Sequence, residues 1–182
     1  MRLFALPLLC VFATPALAAP DMHTLSAEAA ALIPPFQQQL LETVKGAMQA
    51  GGPNRAVEAC QTLAPEIAAN HSKNAWNVGR TALKVRNPDN APDAWERKVL
   101  EEFATQAAAG TPISELKKAE IVDGQFRMMK AIPTGEPCLA CHGKDIKPEL
   151  AAVIDQRYPA DQARGFSLGE LRGAFTLSRP LP

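Results

Sequence analysis

Ala119-Glu120-Ile121-Val122-Asp123-Gly124-Gln125-Phe126-Arg127-Met128-Met129-Lys130-Ala131-Ile132 decides the fold. Asp-Gly is the residue pair of a two-residue hairpin turn, because both central positions of that turn need positive φ. The flanking runs therefore predict an antiparallel hairpin with strands at 119–122 and 125–132. Met128 and Met129 are neighbours in the second strand and must face opposite ways. Further along, Gly173 to Ser178 predicts a last strand, with Phe175 and Leu177 on one side and Pro180 ending it. Val78 to Arg86 alternates, with Thr81, Leu83 and Val85 on one side, and stops at the turn Asn87-Pro88-Asp89-Asn90.

Helical periodicity surrounds these strands. Phe36 to Met48 places Phe36, Leu40, Leu41, Val44 and Met48 on one face. After the break Gly51-Gly52-Pro53, Asn54 to Ala69 predicts a second helix. Ala56, Cys60, Leu63 and Ile67 form its inward stripe, and Pro65 is expected to kink it. Pro92 suits the first position of a third helix, whose stripe Trp95, Val99, Phe103 opposes Glu96, Arg97, Lys98, Glu101 and Glu102. Pro148 to Arg157 is a short fourth piece. Helices around an antiparallel sheet make an α+β domain.

The strand ending at Ile132 runs through Pro133, Gly135 and Pro137 into Cys138-Leu139-Ala140-Cys141-His142. Cys-x-x-Cys-His is the attachment signature of c-type haem. The two sulfurs add across the vinyl groups as thioethers, and the adjacent histidine becomes an axial iron ligand. A thioredoxin-type redox pair or half a zinc site would use similar residues. A zinc site needs two more ligands at comparable spacing, and the sequence offers none. One covalent haem c is expected, attached on a loop leaving the sheet through Cys138 and Cys141, with His142 on the iron.

The N-terminus fits that chemistry. Arg2, the apolar run Leu3 to Ala13 and the small-x-small pattern Ala16-Leu17-Ala18 read as a signal peptide, residues 1–18, followed by one domain at 19–182. Leu9 before Cys10 is not the small residue of a lipoprotein signal. The apolar run is too short to span a membrane, and no other stretch approaches about 20 apolar residues. The expected location is the periplasm. About 160 residues remain after cleavage, enough for one core. The chain has 19 Lys and Arg against 19 Asp and Glu, and no basic block points to nucleic acid.

Removing the signal peptide leaves Cys60 without a disulfide partner in its own chain. It is a small buried hydrophobe, half of an intermolecular disulfide, or an iron ligand opposite His142. Rival ligands are few. His23 falls in an N-terminal segment expected to be mobile. His71 lies in a polar, solvated stretch. Met128 and Met129 read as core, and no Met follows His142. Arg80, Lys84 and Arg86 could pair with haem propionates, although surface solvation is the ordinary fate of each.

Several runs together resemble a known family. They are Ala56-Val57-Glu58-Ala59-Cys60-Gln61-Thr62-Leu63-Ala64-Pro65, the segment Gly79 to Pro92, Cys138 to Gly143, and Leu171-Arg172-Gly173-Ala174-Phe175. The chain resembles the periplasmic c-type haem domains of PAS-like fold, first catalogued as a domain of unknown function. Those domains occur free-standing or as sensing parts of histidine kinases. The resemblance implies a PAS-like antiparallel sheet flanked by helices, with Cys60 and His142 as the axial ligands. A thiolate favours ferric iron and a low potential. The expected role is a redox or diatomic-gas sensor, for nitric oxide, carbon monoxide or dioxygen, whose Cys60 ligand leaves on reduction. It would signal to a periplasmic partner. The second reading is a low-potential electron carrier with a periplasmic redox partner. Catalysis on peroxide or nitrogen oxides ranks third, since no distal His–Arg pair is legible. A four-helix cytochrome is disfavoured by the hairpin before the motif and the strand after it.

Overall fold

A computed structural model describes residues 21–182; the expected signal peptide and Cys10 lie outside them. Four strands form one antiparallel sheet in the order β1-β4-β3-β2. They are β1 (Asn77–Thr81), β2 (Lys117–Val122), β3 (Gln125–Pro133) and β4 (Leu171–Pro180). Asp123 (φ 50°) and Gly124 (φ 74°) close the β2–β3 hairpin, pairing Val122 with Gln125 as the sequence predicts.

Register divides the sheet residues between two cores. Val78, Leu177 and Met128 lie across from one another on one face. They pack with Trp76, Phe126 and Phe175 against α1 (Met22–His71). Met129, Ala131 and Ala174 point the other way, onto Val99, Leu100 and Phe103 of α2 (Ala94–Ala108). The two methionines thus serve opposite cores, as strand alternation requires.

Helix α1 is two arms, 22–50 and 53–71, joined where Gly51 and Gly52 leave helical dihedrals. Gly52 (φ 71°, ψ −162°) occupies a region essentially closed to other residues. The arms fold back on each other, so that His71 stacks near Phe36 at 5.5 Å and bonds Gln39 at 2.8 Å.

Several expectations are corrected here. The first helix begins at Met22 rather than Phe36, which places His23 in a helix. Its buried stripe is Leu25, Ala29, Ile33, Phe36 and Leu40, while Leu41 is 57% exposed. Pro34 and Pro35 are tolerated because Ala30 and Ala31, whose carbonyls they deprive of helical partners, lie on the solvent side. Pro65 introduces no non-helical dihedral. β1 stops at Thr81, and the chain through 82–86 bends away from the sheet. Asp93, not Pro92, opens α2, through a reciprocal capping box with Glu96. Trp95 is only partly buried and donates Nε1–H to Glu120 at 2.7 Å. No described helix is long and apolar enough to cross a membrane.

Candidate functional site

The segment leaving β3 is not an open loop at the motif. Residues Glu136–His142 wind into a short helix, α3, with Pro137 in its first turn. The i, i+3, i+4 spacing then puts Cys138, Cys141 and His142 on one side of that helix. Gly143 closes it, donating its N–H to the Leu139 carbonyl at 2.9 Å. A Cβ at position 143 would lie 2.5 Å from that same oxygen, so the close turn after the histidine excludes a side chain.

A strap from residues 161–166 fixes His142. Its Nδ1 lies 2.7 Å from the Ala163 carbonyl, an acceptor only, so Nδ1 carries the hydrogen and Nε2 keeps a free lone pair. Phe166 N–H donates to the His142 carbonyl and Gly165 N–H to the Gly143 carbonyl, both at 3.0 Å. The Phe166 ring stands edge-on to the imidazole at 6.5 Å. Burial, then the positive charges of Arg172 and Arg86, push the His142 pKa down to about 3. The imidazole is therefore neutral at ordinary pH, the form that donates a lone pair.

Arg86 and Asp161 hold the strap to the motif. Arg86 Nε and Nη2 donate to the two Asp161 oxygens at 3.1 and 3.2 Å, and Nη2 also donates to the Cys141 carbonyl at 2.6 Å. The Arg86 and Asp161 side chains are 10% and 2% exposed. Arg86 is thus a buried tie rather than a solvated surface residue. Asp161 also accepts from Arg164 Nε at 2.7 Å and from the Ala163 amide at 2.9 Å. Gln162 N–H donates to Val85 O at 2.8 Å, which explains why the chain bends after β1.

The second arm of α1 closes the other side. It packs through Val57 onto Leu150, Ile154 and Tyr158 of α4 (Pro148–Arg157) and its C-cap, with Cys141 against the same cluster. Cys60 is exposed, a correction to the expected inward stripe; Ala56 and Ile67 are buried, but Leu63 is 41% exposed. The Cys60 sulfur is nonetheless flanked by protein. Burial raises its pKa, and the nearby charges of Arg80 and Arg86 oppose the rise. Cys60 also adds to the rise at Cys141, and burial with Cys60's charge lifts Tyr158 to about 12. Cys138, Cys141 and His142 thus share α3, and Cys60 on α1 is near enough for its charge to act on Cys141. None of the three cysteines among the described residues is in a disulfide. Among the described residues, no three His, Cys, Asp or Glu side chains converge tightly enough to hold a bare metal ion.

The family model for Tll0287-like proteins matches residues 19–180, nearly the whole described chain. The chain belongs to the Tll0287-like family. It is similar to a solved structure described as the crystal structure of the cyanobacterial heme-protein Tll0287. The two share 28% identity, with 88% of this chain and 97% of that one covered and a TM-score of 0.60. No protein with a curated description matches the chain. The α+β, PAS-like arrangement read from the sequence is thus shared with a Tll0287-like structure.

His71 and the methionines lie away from this region. His71 bonds Gln39 beside the aromatic core, and Met128 and Met129 are buried in the two sheet cores. Lys84 is exposed and donates to the Arg164 carbonyl at 2.6 Å. Asp161, Ala163, Phe166 and Tyr158 escaped the sequence reading. Ala163 acts through its carbonyl, which every residue possesses, so no sequence signal marks it.

Proposed function

We propose that this chain is a periplasmic mono-haem c protein that senses redox state or a diatomic gas through a releasable Cys60 ligand. In this reading Cys138 and Cys141 carry the porphyrin as thioethers, and His142 and Cys60 are its axial ligands. The residues fit such a group. Two free thiols and an imidazole share one side of α3, and the imidazole's Nε2 is unengaged. A third thiol, Cys60 on α1, is near enough for its charge to act on Cys141. Four porphyrin nitrogens would supply the coordination that the protein side chains do not gather by themselves. The heme-protein Tll0287, similar along nearly its whole length, supports the same cofactor.

When bound, a haem supplies an iron that cycles between ferric and ferrous and takes two axial ligands. The contrast between the two proposed ligands carries the sensing role. His142 is oriented by the Ala163 carbonyl at 2.7 Å, by the Phe166 edge, and by two main-chain bonds on either side of it. Cys60 is exposed, and no hydrogen bond to its sulfur is found among the described residues. An anionic sulfur favours the ferric state, whereas burial favours the neutral thiol. On reduction Cys60 would take up a proton from solvent and be the ligand to leave, while His142 would hold the group.

The test is the electron paramagnetic resonance of ferric holoprotein beside Cys60→Ser, then carbon monoxide mixing after reduction. A low-spin thiolate signal lost in the variant, with rapid gas binding to reduced wild type, supports the proposal. Six-coordination kept in both redox states favours the second reading, a low-potential electron carrier. That reading draws on the partial exposure of Cys138 and Cys141, which would leave a cofactor edge near the surface. An unchanged signal in Cys60→Ser would remove Cys60 from the ligand set.

A further inference from the structure

The cations of the site do not balance. Arg86 and Arg164 share Asp161, and Arg164 also pairs with Asp155, so those two arginines are matched by two carboxylates. Arg80, Arg172 and Lys84 enter no ion pair among the described residues; Lys84 is exposed and donates to the Arg164 carbonyl, which leaves Arg80 and Arg172 as the half-buried cations. The one side-chain hydrogen bond of Arg172 is a long one, 3.4 Å to the Lys84 carbonyl, and its guanidinium lies 5.2 Å over the Phe166 ring. Both are half-buried, on neighbouring strands β1 and β4. Burial lowers the pKa of each, Arg172 to about 10, and Arg80 is the leading charge acting on Arg172. Two desolvated like charges on neighbouring strands, with no ion pair of their own, are costly unless an anion joins them.

We propose that Arg80 and Arg172 are the anion-binding half of the cofactor site and receive the two porphyrin propionates. The inference rests on the haem reading and deepens it. Placement supports it: Arg172 lies 5.2 Å over the Phe166 ring that stands edge-on to His142, and the Arg80 charge acts on the Cys60 sulfur. One cation therefore stands toward each proposed axial ligand. Charge supports it as well. A ferric porphyrin with a thiolate ligand is neutral at its centre, because three positive charges meet two from the ring and one from sulfur. The two propionates are then its net charge of minus two, and two guanidinium forks match two carboxylates in number, sign and geometry. Gly173, beside Arg172, lets the backbone come close enough: a Cβ there would lie 2.4 Å from the Thr81 carbonyl and 2.9 Å from the Ala82 Cβ.

The experiment uses holoprotein of wild type, Arg80→Gln, Arg172→Gln, the double variant, and the charge-keeping pair Arg80→Lys and Arg172→Lys. Low-frequency resonance Raman reads the propionate bending bands, and redox titration reads the potential. Each Gln variant should shift those bands and lower the potential, the double variant most, because removing positive charge disfavours the extra electron. The Lys variants should restore the potential but not the bands, since an ammonium cannot fork two bonds to a carboxylate. If a Gln variant fails to take up haem, the Lys variant alone still shows the band shift. Unmoved bands with haem in place would overturn the proposal. So would a change confined to the ferric low-spin g values, which would put the cations on the Cys60 sulfur. A wild-type pyridine haemochrome without the c-type band would instead sink the haem reading itself.

Discussion

Asp161→Asn tests whether the strap is what holds the motif in place. The change keeps shape and removes one negative charge from a side chain that is 2% exposed. Its oxygens accept four hydrogen bonds, from Arg86 Nε and Nη2, Arg164 Nε and the Ala163 amide. An asparagine must turn an NH2 group toward donors at one of those sites. Breaking a buried ion pair from one side costs about 3–5 kcal/mol, mostly the penalty on the charge left behind. Arg86 keeps the Cys141 carbonyl at 2.6 Å and the Ala163 carbonyl at 3.4 Å, which softens that penalty. The lower end, about 3 kcal/mol, is therefore expected. With a urea slope of about 2 kcal/mol/M, the midpoint of far-ultraviolet circular dichroism unfolding should fall by about 1.5 M. Arg164→Gln is the control: its side chain is 30% exposed, and its loss should cost no more than about 1 kcal/mol. A loss below about 1 kcal/mol in Asp161→Asn would refute the reasoning, because the pair would then be no tie at all.

The same carboxylate sets an acid limb. Burial alone would raise the Asp161 pKa, but hydrogen bonds from Arg86, Arg164 and the Ala163 amide outweigh it and hold the group below 3.8. Its stabilisation is present above pH about 4 and is lost as pH falls through the lower folded value. The wild-type midpoint should therefore drop below pH 4, and the drop should shrink in Asp161→Asn. Gly143→Ala drives a methyl to 2.5 Å from the Leu139 carbonyl. It should cost about 1–3 kcal/mol and broaden the holoprotein absorption bands, and unaltered bands would deny that this turn positions His142. Thr134→Val works in the opposite direction. The Thr134 hydroxyl is buried without a partner, so removing it should leave stability unchanged or raise it by about 1 kcal/mol in thermal unfolding. A clear loss would mean that the hydroxyl is bonded after all.

The sheet was the legible part of this chain because its signals are local. Asp123-Gly124 admits one turn, the turn fixes register, and register sends Met128 and Met129 to opposite cores. Pro148–Arg157 likewise appears with the expected bounds, since a proline suits its first turn. The first arm of α1 was hidden by Pro34 and Pro35, which look like a start signal. They sit within a helix instead, because tertiary packing of Leu25, Ala29 and Ile33 on the sheet outweighs two lost backbone bonds on the wet side. At the site, the Cys-x-x-Cys-His residues and Cys60 were identifiable as types of atom. The Ala163 carbonyl, the bend at 82–86 and the Arg86–Asp161 tie were not, because each depends on segments about 20 to 75 residues apart meeting in space.

The break at Gly51-Gly52 links these features to the proposed switch. The arm carrying Cys60 begins just after two residues outside helical dihedrals, and Pro65 removes a backbone bond one turn beyond the thiol. Around Cys60, the arm is held by buried Ala56, Val57 and Ala59 and by Arg157, which bonds Gln61 and pairs with Glu58, but none of these contacts is a hydrogen bond to the Cys60 side chain itself. His142, by contrast, is bound into a network that includes Ala163, Phe166, Arg86 and Asp161. A ligand change at Cys60 would therefore act first on the α1 arm and on α4, which packs against it through Val57. An electron carrier gains nothing from such unequal anchoring, because a ligand that moves adds reorganisation energy to every transfer. The unequal hold on the two sides of the site is the structural reason to rank sensing above transfer.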